Sequence, residues 1–337
     1  MGSEDYALPG HAAVSPVLLV YTIVLNYKTW QFTQDCISSL LAGDYPAQHI
    51  IVVDNASPND SVSQLNAFFG TLDANPQRND SVTYPITHYQ TPTGPITFIR
   101  SPVNEGYAAG NNIGLKHALA GEDAAFFWVL NNDTTVATDA LSKLVSYSTD
   151  PQHTHSGLIG SLLLHYDQPR VVQTIGGRHI PWLGISVPVG EGLSVDPGAL
   201  SRLMPQVNYV VGAACFLNRQ TLIRVGFIPD DYFLYYEDTA WSLEAQKKGF
   251  VNNCCLDSLV YHREGASTRS TTDRLSERAE YYFARNKIRF TRRYYPHYLP
   301  LMLFSATTAM LVRIWAGNFA AVKTIGLATW KELMNRK

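Results

Sequence analysis

The run Phe126-Phe127-Trp128-Val129-Leu130, which stops on Asn131-Asn132-Asp133-Thr134, constrains the fold of this chain more than any other segment. A short run so rich in aromatic and branched residues reads as a buried strand. Open α/β sheets bind their ligands just beyond the carboxyl ends of such strands, which is where Asp133 falls.

The segments around it alternate in the same way. Val17 to Leu25 reads as a first strand ending at Asn26-Tyr27, and Thr33 to Leu41 as a helix with Ile37, Leu40 and Leu41 on its apolar side. His49 to Val53 is a second strand that ends on Asp54-Asn55-Ala56-Ser57, followed by a helix from Ser61 to Phe69. Thr71 to Pro95 is polar and rich in Pro, Asn and Thr, and reads as a long surface insertion before a strand at Ile96 to Arg100. A glycine-rich turn, Asn104 to Gly114, then enters a helix that runs to about Leu119. This alternation predicts an α/β fold, Rossmann-like, with a mainly parallel central sheet and helices on both faces.

Beyond the sheet the character changes. Gly157 to Met204 is rich in Gly, Pro and β-branched residues and predicts short strands and loops over one end of the sheet. Val207 to Leu217 is an apolar run broken by Gly212, and the spacing of Trp241, Leu243, Ala245 and Gly249 predicts a helix from Asp238 closed by glycine. A charged helix from Leu275 to about Tyr295 opens a basic, helical C-terminal tail. The expected division is a catalytic domain over 1–270, with halves at about 15–135 and 136–270, and an extension over 271–337.

With 337 residues, 46% of them hydrophobic, the chain supports a real core. Its net charge of -2 hides a split, because from Tyr281 onward ten Lys or Arg face a single acidic residue, Glu332. That asymmetry points to an anionic partner, phosphates or a membrane surface, rather than to nucleic acid. Cys36, Cys215, Cys254 and Cys255 lack zinc-site spacing and read as reduced core residues of a cytosolic protein. The N-terminus has no basic region followed by an apolar stretch and cleavage site, so secretion is not expected. Leu299 to Val312 is uncharged, but shorter than the roughly 20 residues that cross a bilayer, and reads as an interfacial segment. The expected location is cytoplasmic, peripheral at the inner face of the membrane.

Several residues are placed for chemistry, each with a plainer alternative. Asp54 can accept the imide hydrogen of a pyrimidine, or it or Ser57 can cap the next helix. Gly106, Gly110 and Gly114 can cradle phosphate, or serve tight helix-to-sheet packing; their spacing does not match the dinucleotide fingerprint. Asp133 is a metal-ligand candidate or a helix cap, and His262 a ligand or a structural histidine. Glu237 and Asp238 suit the first turn of a helix, yet they follow the aromatic segment Tyr232 to Tyr236, which sets acid chemistry beside stacking surfaces.

The ordered set IVLNYKTW, IIVVDNASPND, VNEGYAAGNNIG, WVLNNDT, VVGAACFLNR, FLYYEDTAWSLEAQKKGF, YHREGAST and YYFARNKIRF resembles the inverting family 2 glycosyltransferases of GT-A fold, in particular their rhamnosyltransferase-like branch in bacterial polysaccharide assembly. The resemblance spans about Val20 to Phe290. It implies a nucleotide sugar donor, dTDP- or UDP-linked, with L-rhamnose the first expectation, UDP-hexose or galactofuranose the second, and an oligosaccharide acceptor; the basic tail, interleaved with Tyr294, Tyr295, Trp315 and Trp330, suits an anionic membrane surface and hence a lipid-linked acceptor. It implies that Asp54 reads the donor base with Asn26 and Ser57 nearby, and that Tyr27, Asn55, Asn104, Gly106, Asn111, Asn132 and Arg285 complete the donor site. Asp133 and His262 would hold a divalent cation, Mg or Mn. Asp238 would be the catalytic base, Glu237 would hold an acceptor hydroxyl, and Trp182, Gly212, Ala213 and Tyr236 would shape the sugar pocket.

The chain departs from the family pattern at Asn131-Asn132-Asp133, where many members carry two or three aspartates, which bears on the strictness of metal dependence. Two other readings compete. A nucleotidyltransferase would need a glycine-rich basic loop near the first strand, and Asn26-Tyr27-Lys28 is not one. A nonhydrolytic nucleotide- or glycan-binding module would not need Asp133, Asp238 and His262 together.

Overall fold

The computed structural model describes residues 17–79, 84–263, 276–315 and 317–334. The first half contains β1 (Leu19–Asn26), α1 (Trp30–Leu41), β2 (Gln48–Asn55), α2 (Ser61–Leu72), β3 (Gln77–Asn79), β4 (Ile86–Thr91), β5 (Gly94–Ser101), α3 (Tyr107–Ala120), β6 (Ala124–Asn131), β7 (Thr134–Val136) and α4 (Ala140–Thr149). There follow β8 (Ser156–His165), β9 (Gln168–Thr174), β10 (Gly177–Ile180), β11 (Ile185–Pro188), α5 (Pro197–Ser201), β12 (Ala214–Asn218), α6 (Arg219–Val225), α7 (Glu237–Lys247) and β13 (Val251–His262). Three helices end the chain: α8 (Glu277–Tyr294), α9 (Leu299–Trp315) and α10 (Phe319–Met334).

The main sheet runs β3-β4-β5-β2-β1-β6-β12-β8-β13-β7, with β9 beside β8. Its centre, β5-β2-β1-β6, is parallel; β12 is antiparallel to both β6 and β8, and β8 and β13 are again parallel. The chain moves outward from β1 through β2 to β5, then returns to the other side of β1 with β6. The sheet therefore changes direction between β1 and β6, where open α/β sheets form their ligand crevice. Register makes the crevice level, since Asn26 pairs with Asp54 and Leu25 with Asn131.

Strand periodicity divides the core between two faces. Val20, Val24, Ile50, Val52, Phe126, Trp128 and Leu130 meet Ile37 and Leu40 of α1, Leu65 and Phe69 of α2 and Leu144 of α4. The residues between them, Tyr21, Ile23, Ile51, Val53, Phe127 and Val129, meet Leu115 and Ala118 of α3, Leu222 of α6 and Trp241 of α7. Helices thus cover both faces, as the alternation predicts. All four cysteines are buried and free.

The glycines of α3 serve close packing. A Cβ on Gly110 would meet Leu25 at 2.5 Å and one on Gly114 would meet Ile23 at 2.7 Å, so α3 lies nearer the sheet than a side chain permits. At the C-terminus α10 packs on α8 around Glu332, whose buried carboxylate accepts from Arg289 Nη2 at 3.0 Å and Arg292 Nη2 at 2.9 Å.

Two expectations change. The stretch from Thr71 to Pro95 is not simply an insertion, because β3 and β4 extend the sheet beyond β5 in antiparallel order, with Ile86 and Tyr89 buried. Residues 157–204 do not merely cover the sheet's end, because nearly all of β8 is buried within it and its glycines let neighbours pack close: a Cβ on Gly157 would meet Phe250 at 2.7 Å. The expected helix start at Leu275 and the boundary near residue 270 lie outside the described residues.

Candidate active site

A cavity of about 540 Å³ opens at the carboxyl ends of β1, β2 and β6. Tyr27 follows β1, Asn55 ends β2, and Asn131, Asn132 and Asp133 follow one another at the end of β6. Asn104 and Gly106 enter it from the turn before α3, Val211, Gly212 and Ala213 from the segment before β12, Glu237 and Asp238 from the start of α7, and His262 from the end of β13. Ser276, Arg278, Ala279 and Phe283 at the start of α8 form a further wall.

Gly106 has a left-handed φ of 106°, and its Cα lies so close to the Phe233 carbonyl that no side chain fits between them. Tyr107 N donates to that carbonyl at 2.9 Å, and Asn55 Nδ2 donates to the Gly106 carbonyl at 3.0 Å. This glycine therefore ties the aromatic segment before α7 to the turn before α3.

Asp133, just past β6, and His262, at the end of β13, form a pair with an unusual electronic arrangement. His262 Nδ1 lies 2.9 Å from Gln173 Oε1, an acceptor only, so Nδ1 carries the hydrogen. In the neutral ring the lone pair of Nε2 then faces Asp133 Oδ1 at 3.2 Å, and that buried oxygen has no hydrogen bond. Two electron-rich atoms held this close fit a cation between them. Among the described residues no third His, Cys, Asp or Glu completes such a group. That donor set suits a hard divalent ion that takes its remaining ligands from phosphate oxygens and water. Asn132 is directed elsewhere, donating to Thr29 Oγ1 at 2.8 Å and Thr33 Oγ1 at 2.9 Å, which fixes the start of α1 to the end of β6.

Glu237 and Asp238 are adjacent but differ in surroundings. Asp238 accepts from Gly212 N at 3.2 Å, Thr239 N at 2.6 Å and Thr239 Oγ1 at 3.2 Å. Burial raises its pKa, and these hydrogen bonds hold the rise in check. Glu237 is pushed well above the usual carboxylate range by burial first and by the neighbouring Asp238 charge second, and its Oε2 has no partner. Tyr107, whose hydroxyl donates to the Gly212 carbonyl at 2.7 Å, is raised well above its ordinary value by burial and by both carboxylates.

The cavity thus gathers Tyr27, Asn55, Asn104, Gly106, Asn132, Asp133, Gly212, Ala213, Glu237, Asp238 and His262 from the residues expected from sequence. Seven others lie outside its lining. Asp54 is buried below it, its oxygens taken by Asn26 Nδ2 at 2.7 Å and Ser57 N at 3.0 Å. Asn26 and Ser57 belong to that same cluster. Asn111 Nδ2 donates to the Tyr107 carbonyl, Tyr236 Oη donates to the Gly184 carbonyl, and Trp182 is exposed. Arg285 lies over the Tyr282 ring and donates to the Asp231 carbonyl.

Tyr107, Arg278 and Phe283 are among the lining residues that sequence reasoning gave no role. Tyr107 stands within the glycine-rich motif, which was a usable signal. Arg278, stacked 4.7 Å over the Phe233 ring, had none beyond membership of the basic tail.

Comparison with known proteins agrees with this geometry. Residues 21–168 match the family model for glycosyl transferase family 2. The low-salt glycan biosynthesis hexosyltransferase Agl10 of Haloferax volcanii is 22% identical over 248 residues, covering 73% of this chain and 68% of that protein. The galactofuranosyltransferase GlfT1 of Mycolicibacterium smegmatis is 24% identical over 248 residues, covering 72% of this chain and 70% of that protein. Neither name is that of a rhamnosyltransferase. The mannosyltransferase PcManGT of Pyrobaculum calidifontis, solved with GDP-Man and Mn2+, shares the fold with a TM-score of 0.52 at 15% identity, over 94% of this chain and 88% of that one. The match over 21–168 likens the part of the chain that carries β1 to β8 and the β1/β6 switch point to glycosyl transferase family 2, and the likeness to PcManGT extends the shared fold over nearly the whole chain.

Proposed function

We propose that this enzyme transfers a hexosyl group, pyranose or galactofuranose, from a nucleoside diphosphate sugar to a hydroxyl of a glycan acceptor, with inversion and with Asp238 as base. The observation that carries the reading is that one cavity holds the Asp133–His262 pair and the Asp238 carboxylate, a phosphate-side charge site and a proton acceptor. The two relatives, a hexosyl- and a galactofuranosyltransferase, favour a hexose over the L-rhamnose expected from the motifs.

Asp133 and His262 would hold a divalent cation, Mg or Mn, which when bound offsets charge on the departing diphosphate. Asp238, ionised and held by Gly212 N and Thr239, takes the proton of the acceptor hydroxyl as that oxygen bonds to the anomeric carbon. The bond to the diphosphate breaks in the same displacement, so the configuration inverts. Neutral Glu237 can hold an acceptor hydroxyl by donating or accepting a hydrogen bond. Arg278 adds positive charge to the cavity wall.

The test is a melting-temperature panel with GDP-mannose, UDP-galactose, UDP-galactofuranose and dTDP-rhamnose, each with and without Mn2+, followed by NMR of the product's anomeric configuration. A metal-enhanced shift with a hexose or galactofuranose donor and an inverted product support the proposal. A shift confined to dTDP-rhamnose overturns the donor assignment, and a retained configuration overturns the role of Asp238.

A further inference from the structure

The α9–α10 hairpin exposes an apolar surface that the enzyme's own fold does not use. The segment Pro296–Trp315 has a mean hydropathy of 1.3, enough for a membrane helix, yet only 6% of it is buried. Leu301, Phe304, Leu311, Val312 and Trp315 are all exposed, Trp315 by 92%, and their spacing puts them along one side of α9. On α10, Phe319, Leu327, Trp330 and Met334 are exposed in the same manner, with Lys323 and Lys331 exposed among them.

We propose that this hairpin seats the enzyme in the interface of an anionic lipid bilayer. Charge selects that occupant. The two helices carry Arg313, Lys323 and Lys331 and a single carboxylate, Glu332, which is buried against Arg289 and Arg292. Their exposed surface is therefore apolar and cationic with no carboxylate among the described residues, which suits acyl chains flanked by anionic headgroups. Two copies of such a surface would bring like charges together, which disfavours self-association.

The hairpin lies on the bilayer rather than across it. By length and composition alone the segment Pro296–Trp315 could cross a bilayer, and its attachment to the protein is what keeps it at the surface. Its other side is attached to the protein, for Met302 is fully buried and a Cβ on Gly184 would meet it at 2.7 Å, while Ser305 Oγ donates to the Leu183 carbonyl at 3.4 Å. A helix surrounded by lipid cannot keep those contacts.

Its anchors connect to the walls of the cavity. The Gly184 carbonyl accepts the Tyr236 hydroxyl at 2.8 Å, one residue before Glu237, and α8 lines the cavity at its start while holding α10 through Glu332 farther along. Seating the hairpin therefore fixes the cavity relative to the headgroups, as delivery of a lipid-linked acceptor requires. That consequence rests on the glycosyltransferase reading; the docking does not.

The experiment is flotation of the full chain with vesicles of phosphatidylcholine alone or of an equimolar mixture with phosphatidylglycerol, with size-exclusion chromatography over a range of concentrations. The parent protein should float with the anionic vesicles and be released by salt. Lys323→Glu with Lys331→Glu should weaken binding by roughly 25-fold or more, at about fivefold per cation lost. Phe304→Ser with Trp315→Ser should abolish flotation while leaving the melting temperature and the donor-induced shift unchanged, because both side chains are exposed and outside the cavity. Equal binding to both vesicle types, no binding, or a concentration-dependent dimer dispersed by the Phe304 and Trp315 changes would overturn the proposal. Failure of the donor-induced shift with flotation intact would count against the glycosyltransferase reading alone.

Discussion

Gln173 tests the reading of the Asp133–His262 pair most directly, because it acts on His262 without lining the cavity. Its Oε1 accepts from His262 Nδ1 at 2.9 Å and thereby aims Nε2 at Asp133. In Gln173→Ala the imidazole keeps its place in β13 but loses the partner that sets its tautomer and ring angle. The site is closed, with the His262 side chain only 10% exposed, so water is a poor substitute. Loss of such an outer partner costs about 10- to 100-fold in metal affinity, or about 1.4–2.8 kcal/mol. The poor access of water places the expectation in the upper half of that range. Gln173→Glu keeps an acceptor and strengthens it by charge, so affinity should be retained or rise. Mn2+ titration followed by electron paramagnetic resonance, in the presence of a nucleoside diphosphate, reads both changes without turnover. If Gln173→Ala binds Mn2+ within a factor of about two of the parent while His262→Ala does not, the orienting argument is wrong. If neither variant loses affinity, His262 is no ligand.

Asp238→Asn should lower kcat by about 10²- to 10⁴-fold and preserve the donor-induced melting shift, whereas Glu237→Gln, which mimics an acid already neutral, should cost less than about tenfold; equal losses would refute the division of roles. Gly114→Ala and Gly70→Ala should move the melting temperature in opposite directions. The first overpacks against Ile23 by about 1–3 kcal/mol, while the second, in α2 with nothing within 4 Å, gains up to about 1 kcal/mol of helix propensity; shifts of the same sign would refute the packing argument. Burial lowers the pKa of His49 and of His179 to about 4, so each stays neutral in the folded protein while the unfolded chain binds a proton below about 6.5. The stability each contributes is present above that pH and is lost as pH falls toward 4, up to about 3 kcal/mol apiece. The raised pKa of Glu237 gives a slope of opposite sign, so the measurement is the difference between the parent and His49→Asn across pH 7 to 4; a constant difference would refute it.

The parts of the site legible in the sequence are those where local pattern and position coincide. Asp133, Asn55 and Tyr27 each follow an apolar run, and a buried strand must deliver whatever comes next to the sheet's edge. Glu237 and Asp238 open a helix with a readable end at Gly249. What stayed hidden depends on distant chain. Arg278 and Phe283 reach the cavity because α8 folds back over it, and no local periodicity announces such a return. Arg285, Asn111 and Tyr236 stand within recognisable motifs, yet Arg285 Nη2, Asn111 Nδ2 and Tyr236 Oη donate to the carbonyls of Asp231, Tyr107 and Gly184. In the sheet, β4 was obscured because polar Thr87 and His88 separate its two buried apolar residues, Ile86 and Tyr89, which pack on opposite faces. The central strand β8 was obscured because Gly157 and Gly160 interrupt its apolar run where neighbouring side chains press on the backbone.

The backbone before α7 shows why two adjacent carboxylates take different states. Tyr235 and Tyr236 both have left-handed φ, 68° and 73°, a conformation that costs roughly 1–3 kcal/mol for each such residue. Surrounding structure sustains it: the Tyr236 ring packs near Phe283 and Phe290, and its hydroxyl is held by Gly184. The double twist starts α7 abruptly, with both acids in its first turn, where the helix dipole favours their ionised forms. That shared field cannot distinguish them. Hydrogen bonds do: Gly212 and Thr239 converge on Asp238, while Glu237 presents an oxygen with no partner in a buried place. Burial raises the cost of ionising Glu237 and the charge on Asp238 adds to it, so the second acid stays protonated beside an ionised first. The segment before β12 thus helps to hold the base, since moving Gly212 away would remove one of the donors that separate the two acids.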